Sequence, residues 1–166
     1  MIQTAKVEVR WQITRDLPRI VKIEQASFAE PWDEATFRQC LRQQQIIAMV
    51  AEIHEDVVGY MIYELGKSSL TLVNVAVDPG WRRHGIGRTM IDKLKHKCNT
   101  SKRRFVRAAL CERNLDAQLW LKALGFQATR VLRDHFDDGD GYAFRYVRQV
   151  APMGAEGDSH EIHCKS

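Results

Sequence analysis

The residues most suited to chemistry lie between positions 75 and 88, where an apolar run gives way to cationic side chains and glycines. The apolar run, residues 70–77, has the composition of a strand and ends at the turn signal Asp78-Pro79-Gly80. Between that turn and an amphipathic segment with helical spacing stand Arg82, Arg83, His84, Gly85, Ile86, Gly87 and Arg88. The pattern predicts a strand, a cationic loop and a helix N-terminus in immediate succession.

A loop of this kind at the start of a helix is suited to holding an anion. The first N–H groups of a helix have no acceptor within the helix, and the helix dipole favours negative charge beside them. Glycine has no Cβ atom, so a phosphate can approach its backbone closely. Arginine adds charge and a fork of donors that fits phosphate oxygens. The sequence therefore predicts a diphosphate site at residues 82–88.

The rest of the chain supplies strands and helices around this loop. Val7, Val9, Trp11 and Ile13 alternate as in a half-buried strand, and Asp16 is placed to cap the helix that follows. The predicted strands cover residues 7–14, 46–53, 57–65, 70–77, 105–111, 126–132 and 142–147, with an acidic loop at 137–141. The predicted helices cover residues 17–28, 33–43, 85–98 and 115–124.

Length, charge and cysteine content restrict the class of protein. The chain has 166 residues, enough for one domain with a proper core, and its longest apolar run, residues 46–51, is too short to cross a bilayer. Its four cysteines lie far apart without a CxxC pair, which is typical of reduced thiols in a cytoplasmic protein. The net charge of +4 is compatible with an anionic cofactor or with proximity to ribosomes, and does not by itself indicate nucleic-acid binding.

We expect the ordered domain to span residues 1–150. Residues 151–166 are rich in glycine, serine and charged residues and contain few apolar side chains, so the sequence predicts a disordered tail there. The tail includes His160, His163 and Cys164, which are residue types that bind metals. No second pair of ligands accompanies them, and we therefore predict no metal site.

Residues 7–148 resemble the GNAT superfamily of acyl-CoA-dependent N-acetyltransferases. The phosphate motif of that family is matched by Arg82, Gly85 and Gly87. Its second mark, an asparagine followed by a helix that ends in Leu-Gly-Phe, is matched by Asn114 and Leu124-Gly125-Phe126. The strand before the glycines and the distance to Asn114 make the combination specific.

Within that superfamily the chain is similar to the RimI-like branch, whose members acetylate protein N-termini. The similarity lies in the Ala76-Val77-Asp78-Pro79 segment, in the Pro31-Trp32 pair before the second helix and in the spacing from Asn114 to Phe126. The resemblance implies a single α/β domain of the α+β type. Its sheet would be mixed, mostly antiparallel and seven-stranded, with flanking helices and a splayed central pair of parallel strands.

By the same resemblance, acetyl-CoA would place its pantetheine arm between the splayed strands. Backbone groups of Val75 and Val77 would bind the pantetheine amides, and Asn114 would bind the cofactor near its pantetheine end. The diphosphate would be held by the residues already selected for an anion, namely Arg82, Arg83, His84, Gly85, Ile86, Gly87 and Arg88.

The chain departs from the RimI-like pattern at the two positions that usually carry acid–base groups. A glutamate on the strand before the asparagine is replaced by Ala109, and a tyrosine on the following helix by Leu121. We select Glu112 and Tyr142 as substitute groups, on the hypothesis that a bulge turns Glu112 inward. Glu30 in the acceptor loop and His135 beside the last hairpin are further candidates.

An α-amine tolerates the loss of a general base better than a lysine does. Its pKa of about 7.7–8.0 leaves roughly a tenth to a third of it neutral near pH 7.4, against on the order of 0.1% for lysine. We therefore predict acetyl transfer from acetyl-CoA to a protein α-amine, with a ribosomal protein as the acceptor that the resemblance favours. The alternatives are a small amine or a lysine side chain, or a degenerate domain that binds acyl-CoA without catalysis.

Overall fold

The computed structural model describes residues 5–137 and 139–149, which form seven strands and four α-helices. The strands are β1 (Glu8–Trp11), β2 (Ile46–Ile53), β3 (Asp56–Leu65), β4 (Ser69–Val77), β5 (Phe105–Cys111), β6 (Gln127–Phe136) and β7 (Gly139–Val147). The helices are α1 (Leu17–Ser27), α2 (Glu34–Leu41), α3 (Ile86–Asn99) and α4 (Leu115–Ala123). The order of elements is the one that the sequence predicts.

All seven strands join one sheet in the order β1-β2-β3-β4-β5-β7-β6. Neighbouring strands are antiparallel except β4 and β5, which run parallel. The parallel pair is short, since only Ser69, Leu70 and Thr71 of β4 have partners on β5. The mixed, mostly antiparallel sheet with a splayed central pair is therefore confirmed.

A bulge in β4 explains where the two strands separate. Tyr63 of β3 pairs with Leu72 and its neighbour Ile62 pairs with Asn74, so Val73 is an extra residue without a partner on β3. A bulge of this kind bends the strand that carries it and increases its local twist. The pairing of β4 with β5 ends at Thr71, just before the extra residue. The bend thus directs the second half of β4 away from β5.

Apolar side chains alternate between the two faces of the sheet, and helices cover both. On one side, the α3/α4 face, Met90 of α3 and Leu121 of α4 belong to a core cluster that includes strand residues of β2, β3, β4, β5 and β7. On the other side, the α1/α2 face, Ile23, Phe37 and Tyr60 belong to a second cluster. The gap between β4 and β5 lies between these two cores and opens toward both faces.

Side-chain hydrogen bonds act differently at the starts of α2 and α1. Asp33 caps α2 by accepting the Thr36 N–H at 2.8 Å, as its residue type predicts. Asp16 does not cap α1, contrary to the prediction, because its carboxylate accepts the Ile13 N–H at 2.8 Å and binds Arg10. Residues 14–16 form a 3-10 turn there, and this turn shortens the predicted strand 7–14 to Glu8–Trp11.

The last hairpin is longer than predicted. The sequence predicts a loop at residues 137–141, yet β6 continues to Phe136 and β7 already begins at Gly139. Asp140 lies within β7 because its carboxylate accepts hydrogen bonds from Arg133 at 2.6 Å and from the Asp134 N–H at 2.9 Å. The predicted tail at residues 151–166, with its histidines and cysteine, lies outside the described residues.

Candidate active site

The separation of β4 and β5 opens a cleft of about 1010 Å³ in the middle of the sheet. β4 lines one wall from Leu72 to Val77, and β5 lines the other with Ala108, Ala109 and Leu110. Residues from the start of α3 and from α4 complete the lining. A ligand in the cleft would therefore meet both the unpaired edge of β4 and the first turn of a helix.

The first turn of α3 offers backbone donors without acceptors inside the helix. Its first helical hydrogen bond runs from the Thr89 N–H to the Gly85 C=O at 3.0 Å, so the N–H groups of Ile86, Gly87 and Arg88 precede the helical ladder. Gly85 has a φ of 75°, and a Cβ atom placed on it would meet nothing within 4 Å. The backbone is thus open to a ligand at this point.

Gly87 is required for a different reason from Gly85. A Cβ atom on Gly87 would lie 2.8 Å from Cζ2 of Trp120 on α4, which is closer than real Cβ contacts allow. The absence of that atom lets the indole of Trp120 pack against the first turn of α3, and both residues border the cleft. This packing role was not predicted from the sequence, because Gly87 and Trp120 are distant along the chain.

The arginines of the loop are placed at the mouth of the cleft. Arg82 donates from Nε to the Val77 C=O at 3.2 Å and from Nη2 to Ser27 Oγ at 3.1 Å. Arg83 and Arg88 also border the cleft and keep exposed side chains. Three positively charged side chains therefore border the same cleft as the first turn of α3, which suits an anion site.

The His84 ring belongs to the loop itself, and His84 is not among the residues that line the cleft. Its Nδ1 lies 2.8 Å from the Arg82 C=O and 3.1 Å from the Trp81 C=O. Since carbonyl oxygens only accept, Nδ1 carries the proton and donates to them. The predicted contribution of His84 to an anion site thus rests on its backbone N–H.

The turn before this loop is fixed by Asp78. Its carboxylate accepts the Gly80 N–H at 2.8 Å and pairs with Arg19 of α1. Burial opposes the charge on Asp78, but the Gly80 N–H and the Arg19 guanidinium outweigh that effect and lower its pKa. The turn signal in the sequence therefore corresponds to an ion pair that ties the end of β4 to α1.

Asn114 borders the cleft at the start of α4. Its Oδ1 accepts the Ala117 N–H at 3.2 Å, so the side chain caps the helix. The cap leaves the Nδ2 amide group of Asn114 for another partner. The predicted contact with a cofactor is compatible with this position.

Both positions that usually carry acid–base groups do border the cleft. Ala109 is exposed on β5, and Leu121 is 1% exposed and belongs to the core of the α3/α4 face. Neither side chain can exchange a proton, so neither position supplies acid–base help.

The structure places the predicted substitutes away from the cleft lining. The bulge that would turn Glu112 inward is not present, because β5 pairs regularly with β7 through Cys111, and Glu112 is exposed with its carboxylate beside Gly139. Tyr142 is half-buried on β7 opposite Leu110 and packs against the core of the α3/α4 face. Neither residue is among those that line the cleft.

The two further candidates also lie elsewhere on the surface. Glu30 is exposed in the loop between α1 and α2. His135 is exposed on β6, with its ring centroid 4.9 Å from that of Phe136. Neither contributes to the lining of the cleft.

Sequence reasoning missed a polar network beneath the α1/α2 face. Glu24 of α1 is 2% exposed, and its carboxylate accepts the Trp32 N–H at 3.0 Å, Asn74 Nδ2 at 3.2 Å and the Tyr60 hydroxyl. Burial, followed by the hydrogen bond to Glu24, raises the pKa of Tyr60. The available signal was a glutamate one turn after Ile20, on the apolar face of its helix.

Two further properties of the described residues concern membranes and metal ions. Within residues 5–137 and 139–149, no helix is long and apolar enough to cross a membrane. The same residues contain no group of three or more histidine, cysteine, aspartate or glutamate side chains that could hold a metal ion.

Comparison with known proteins identifies the family. Residues 17–126 match the acetyltransferase (GNAT) family. The chain is 29% identical over 131 residues to the [ribosomal protein bS18]-alanine N-acetyltransferase of Escherichia coli strain K12, covering 77% of this chain and 86% of that protein. It is 28% identical over 138 residues to the N-alpha-acetyltransferase of Sulfurisphaera tokodaii, covering 75% and 83%.

The fold agrees with that of a solved relative. The crystal structure of the ribosomal-protein-S18-alanine N-acetyltransferase from Escherichia coli superimposes with a TM-score of 0.78 at 22% identity, over 92% of this chain and 100% of that one. The family match covers more than half of the chain and includes the cationic loop and Asn114. The chain therefore belongs to the acetyltransferase (GNAT) family and is an acetyltransferase.

Proposed function

We propose that this acetyltransferase moves an acetyl group from acetyl-CoA to the α-amine of a protein N-terminus. The observation that carries the proposal is the cleft between β4 and β5, which joins the free N–H groups of α3 to the α1/α2 face. The names of two relatives, an alanine N-acetyltransferase for a ribosomal protein and an N-alpha-acetyltransferase, support this acceptor class.

The cofactor would lie along the unpaired edge of β4. Its diphosphate would accept hydrogen bonds from the backbone of residues 83–88, with Arg82, Arg83 and Arg88 balancing the charge. Backbone groups of Val75 and Val77 would bind the pantetheine amides, since that edge of β4 has no strand partner. These assignments are part of the proposal, and the open backbone at Gly85 supports them.

The reaction would be a direct attack within a ternary complex. The neutral amine nitrogen attacks the thioester carbon, the C–S bond breaks, and the thiolate of CoA leaves. The nitrogen then loses one proton to water. A thiol with a pKa of about 8.5 can leave as the thiolate, without full protonation. The lack of a proton donor at Leu121 therefore slows this step without preventing it. General acid–base help is worth about 10²–10⁴-fold in rate, and we expect a slow enzyme.

Glu112 and Tyr142 remain the sequence-based predictions for an acid–base pair. Single-turnover acetyl transfer by Glu112→Gln and Tyr142→Phe tests them directly. A fall of about 10²-fold or more in either variant would assign that group to catalysis. Parent-like rates in both variants would remove the pair from the mechanism.

The test of the proposed function is CoA release with a panel of acceptors. With acetyl-CoA and a peptide that has a free N-terminal alanine, the enzyme should release CoA. With the same peptide and a blocked N-terminus, it should not. Release only with lysine side chains or small amines would change the acceptor class. If the protein binds acetyl-CoA tightly but releases no CoA with any acceptor, the proposal is contradicted and a degenerate domain without catalysis is favoured.

We also propose a cytoplasmic location and a ribosomal protein as the first acceptor to test. Cys40 and Cys98 carry free thiols, which supports a reducing compartment. The ribosomal acceptor rests on the name of the Escherichia coli relative. Mass spectrometry of ribosomal proteins from cells with and without the enzyme tests both points.

A further inference from the structure

We propose that Asn74, held in one orientation by the buried carboxylate of Glu24, binds the amino group of the acceptor. The inference rests on the proposed function, because it assigns the acceptor contact within the same cleft. It concerns residues that none of the sequence motifs include. It also supplies a polar group to a cleft in which Ala109 and Leu121 carry none.

The buried carboxylate of Glu24 determines which way the Asn74 amide points. A carboxylate accepts hydrogen bonds and donates none, so the Asn74 group beside it is the Nδ2 donor, at 3.2 Å. The Asn74 Oδ1 atom must then point away from Glu24. Glu24 itself cannot turn aside, because it also holds the Trp32 N–H and the Tyr60 hydroxyl.

The Oδ1 atom of Asn74 is an accessible acceptor in the cleft. Asn74 borders the cleft, and Oδ1 has no hydrogen-bond partner within the described part of the chain. No buried side-chain nitrogen or oxygen among those residues lacks a partner, so an unpartnered Oδ1 is reached by solvent. A ligand in the cleft can therefore donate to it.

The position of Asn74 in the sheet selects the acceptor rather than the cofactor. Asn74 pairs with Ile62, a core residue of the α1/α2 face, and its side chain therefore lies on that face. Ala109 alternates with Ala108 and Leu110, which pack on the α3/α4 face, and so also points to the α1/α2 face. The free N–H groups that would hold the diphosphate belong to α3 on the opposite face.

The geometry indicates how Asn74 would act on the amine. Oδ1 accepts one N–H of a neutral amine, which leaves the nitrogen lone pair free to attack the thioester. The amide cannot take the proton, so the amine must arrive neutral. The hydrogen bond from Nδ2 to a carboxylate polarises the amide and strengthens Oδ1 as an acceptor. Asn74 is then a catalytic residue, and Glu24 is a positioning residue.

Three variants test the orientation, each assayed with a peptide that has a free N-terminal alanine. Asn74→Leu removes the acceptor. In Glu24→Gln we expect the oxygen to stay on the Trp32 N–H, because a backbone N–H can only donate. The new NH₂ group then faces the Tyr60 hydroxyl, which can accept from it, and donates to Oδ1, which turns the Asn74 amide around. In the double variant Glu24→Gln with Asn74→Asp, one Asp oxygen accepts from the glutamine and the other faces the cleft.

We expect Asn74→Leu and Glu24→Gln each to lower kcat/KM for the peptide by about 10-fold or more. The double variant should recover most of that loss, which a purely structural role for Glu24 does not predict. The Kd for acetyl-CoA should stay unchanged in all three. Asn99→Leu is the matched control, since Asn99 bonds Tyr146 and Gln149 at the far end of α3.

The outcomes separate this inference from the proposed function. A parent protein that acetylates no N-terminus overturns both. A working parent with unchanged kcat/KM in Glu24→Gln, the variant closest in shape, overturns the inference alone. A loss in Glu24→Gln that the double variant does not recover also overturns it, because the orientation of Asn74 would then not be the cause. Thermal unfolding of each variant confirms that the protein remains folded.

Discussion

The two glycines of the cationic loop show how one motif combines separate physical requirements. Gly85 is needed for its backbone, since its φ of 75° is costly for any residue with a Cβ atom. Gly87 is needed for its lack of volume, because Trp120 occupies the space where a Cβ atom would lie. A motif written as alternate glycines therefore records one conformational and one packing constraint.

Substitution by alanine should separate the two requirements. Gly85→Ala is expected to lower the free energy of unfolding by about 1–2 kcal/mol through backbone strain alone. Gly87→Ala should cost about 1–3 kcal/mol through contact with Trp120. Urea unfolding measures both changes, and Trp120→Leu supplies the second side of a double-mutant cycle. Coupling to Trp120 is expected for Gly87→Ala only, and equal coupling for both glycines would contradict this assignment.

The pH dependence of acetyl transfer should report the acceptor rather than the enzyme. Ala109 and Leu121 do not ionise, and the amide of Asn74 cannot take a proton. We expect kcat/KM for an N-terminal peptide to rise with pH and level off above the pKa of its α-amine, about 8. Rate measurements between pH 6 and pH 9 check this expectation. An acceptor with a less basic amine should shift the curve to lower pH by the same amount, and an unshifted curve would indicate an ionising group on the enzyme.

At the scale of elements, an ion cluster fastens the first strand to the first helix. Arg10 of β1 donates from Nη1 and Nη2 to the Asp16 carboxylate at 2.8 and 3.0 Å, and from Nε to Glu52 of β2 at 2.7 Å. Burial opposes the charge on Asp16, but the hydrogen bonds from Arg10 and from the Ile13 N–H outweigh it and lower its pKa. The cluster holds α1 against the sheet, and α1 carries Glu24.

Neutralising Asp16 should therefore destabilise the protein in a pH-dependent way. Because the pKa of Asp16 is lowered by folding, its contribution is complete above the ordinary value of about 3.9 and is lost as the pH falls further. Asp16→Asn should lower the free energy of unfolding by about 2 kcal/mol at pH 7. The difference from the parent should shrink below pH 4. Denaturant unfolding at several pH values measures it, with the exposed Asp56→Asn as control, and a difference independent of pH would exclude this role.

Local sequence signals predicted the elements but not the contacts between distant ones. The turn at Asp78, the cap at Asp33 and Gly85 before α3 act within a few residues, and the structure has each where the sequence predicts it. The bulge at Val73 depends on pairing with β3 and has no local signal. Glu24 forms hydrogen bonds with Tyr60 and Asn74, which lie 36 and 50 residues away along the chain. Signals within a few residues therefore could not predict this network.

For the whole molecule, the cleft lies between two cores, so a ligand that fills it should stabilise the entire fold. At a concentration of 100 times its Kd, acetyl-CoA should add about 2.7 kcal/mol to the free energy of unfolding. For a chain of this size the melting temperature should rise by roughly 5–10 °C. Thermal unfolding with and without the ligand measures the shift. Pantetheine lacks the diphosphate and should bind more weakly, so at the same concentration it should give a much smaller shift. An equal shift at equal concentration would exclude the backbone of α3 as the main contact.

The interrupted pairing of β4 has a consequence for proton exchange with solvent. On the side of β5, β4 is paired only at Ser69 to Thr71, so the amide protons that point this way from Leu72 to Val77 lack a strand partner. Amides at the centre of a seven-stranded sheet are ordinarily among the slowest to exchange for deuterium. In this protein some of them should exchange as fast as those of an outer strand and slow markedly once acetyl-CoA is bound.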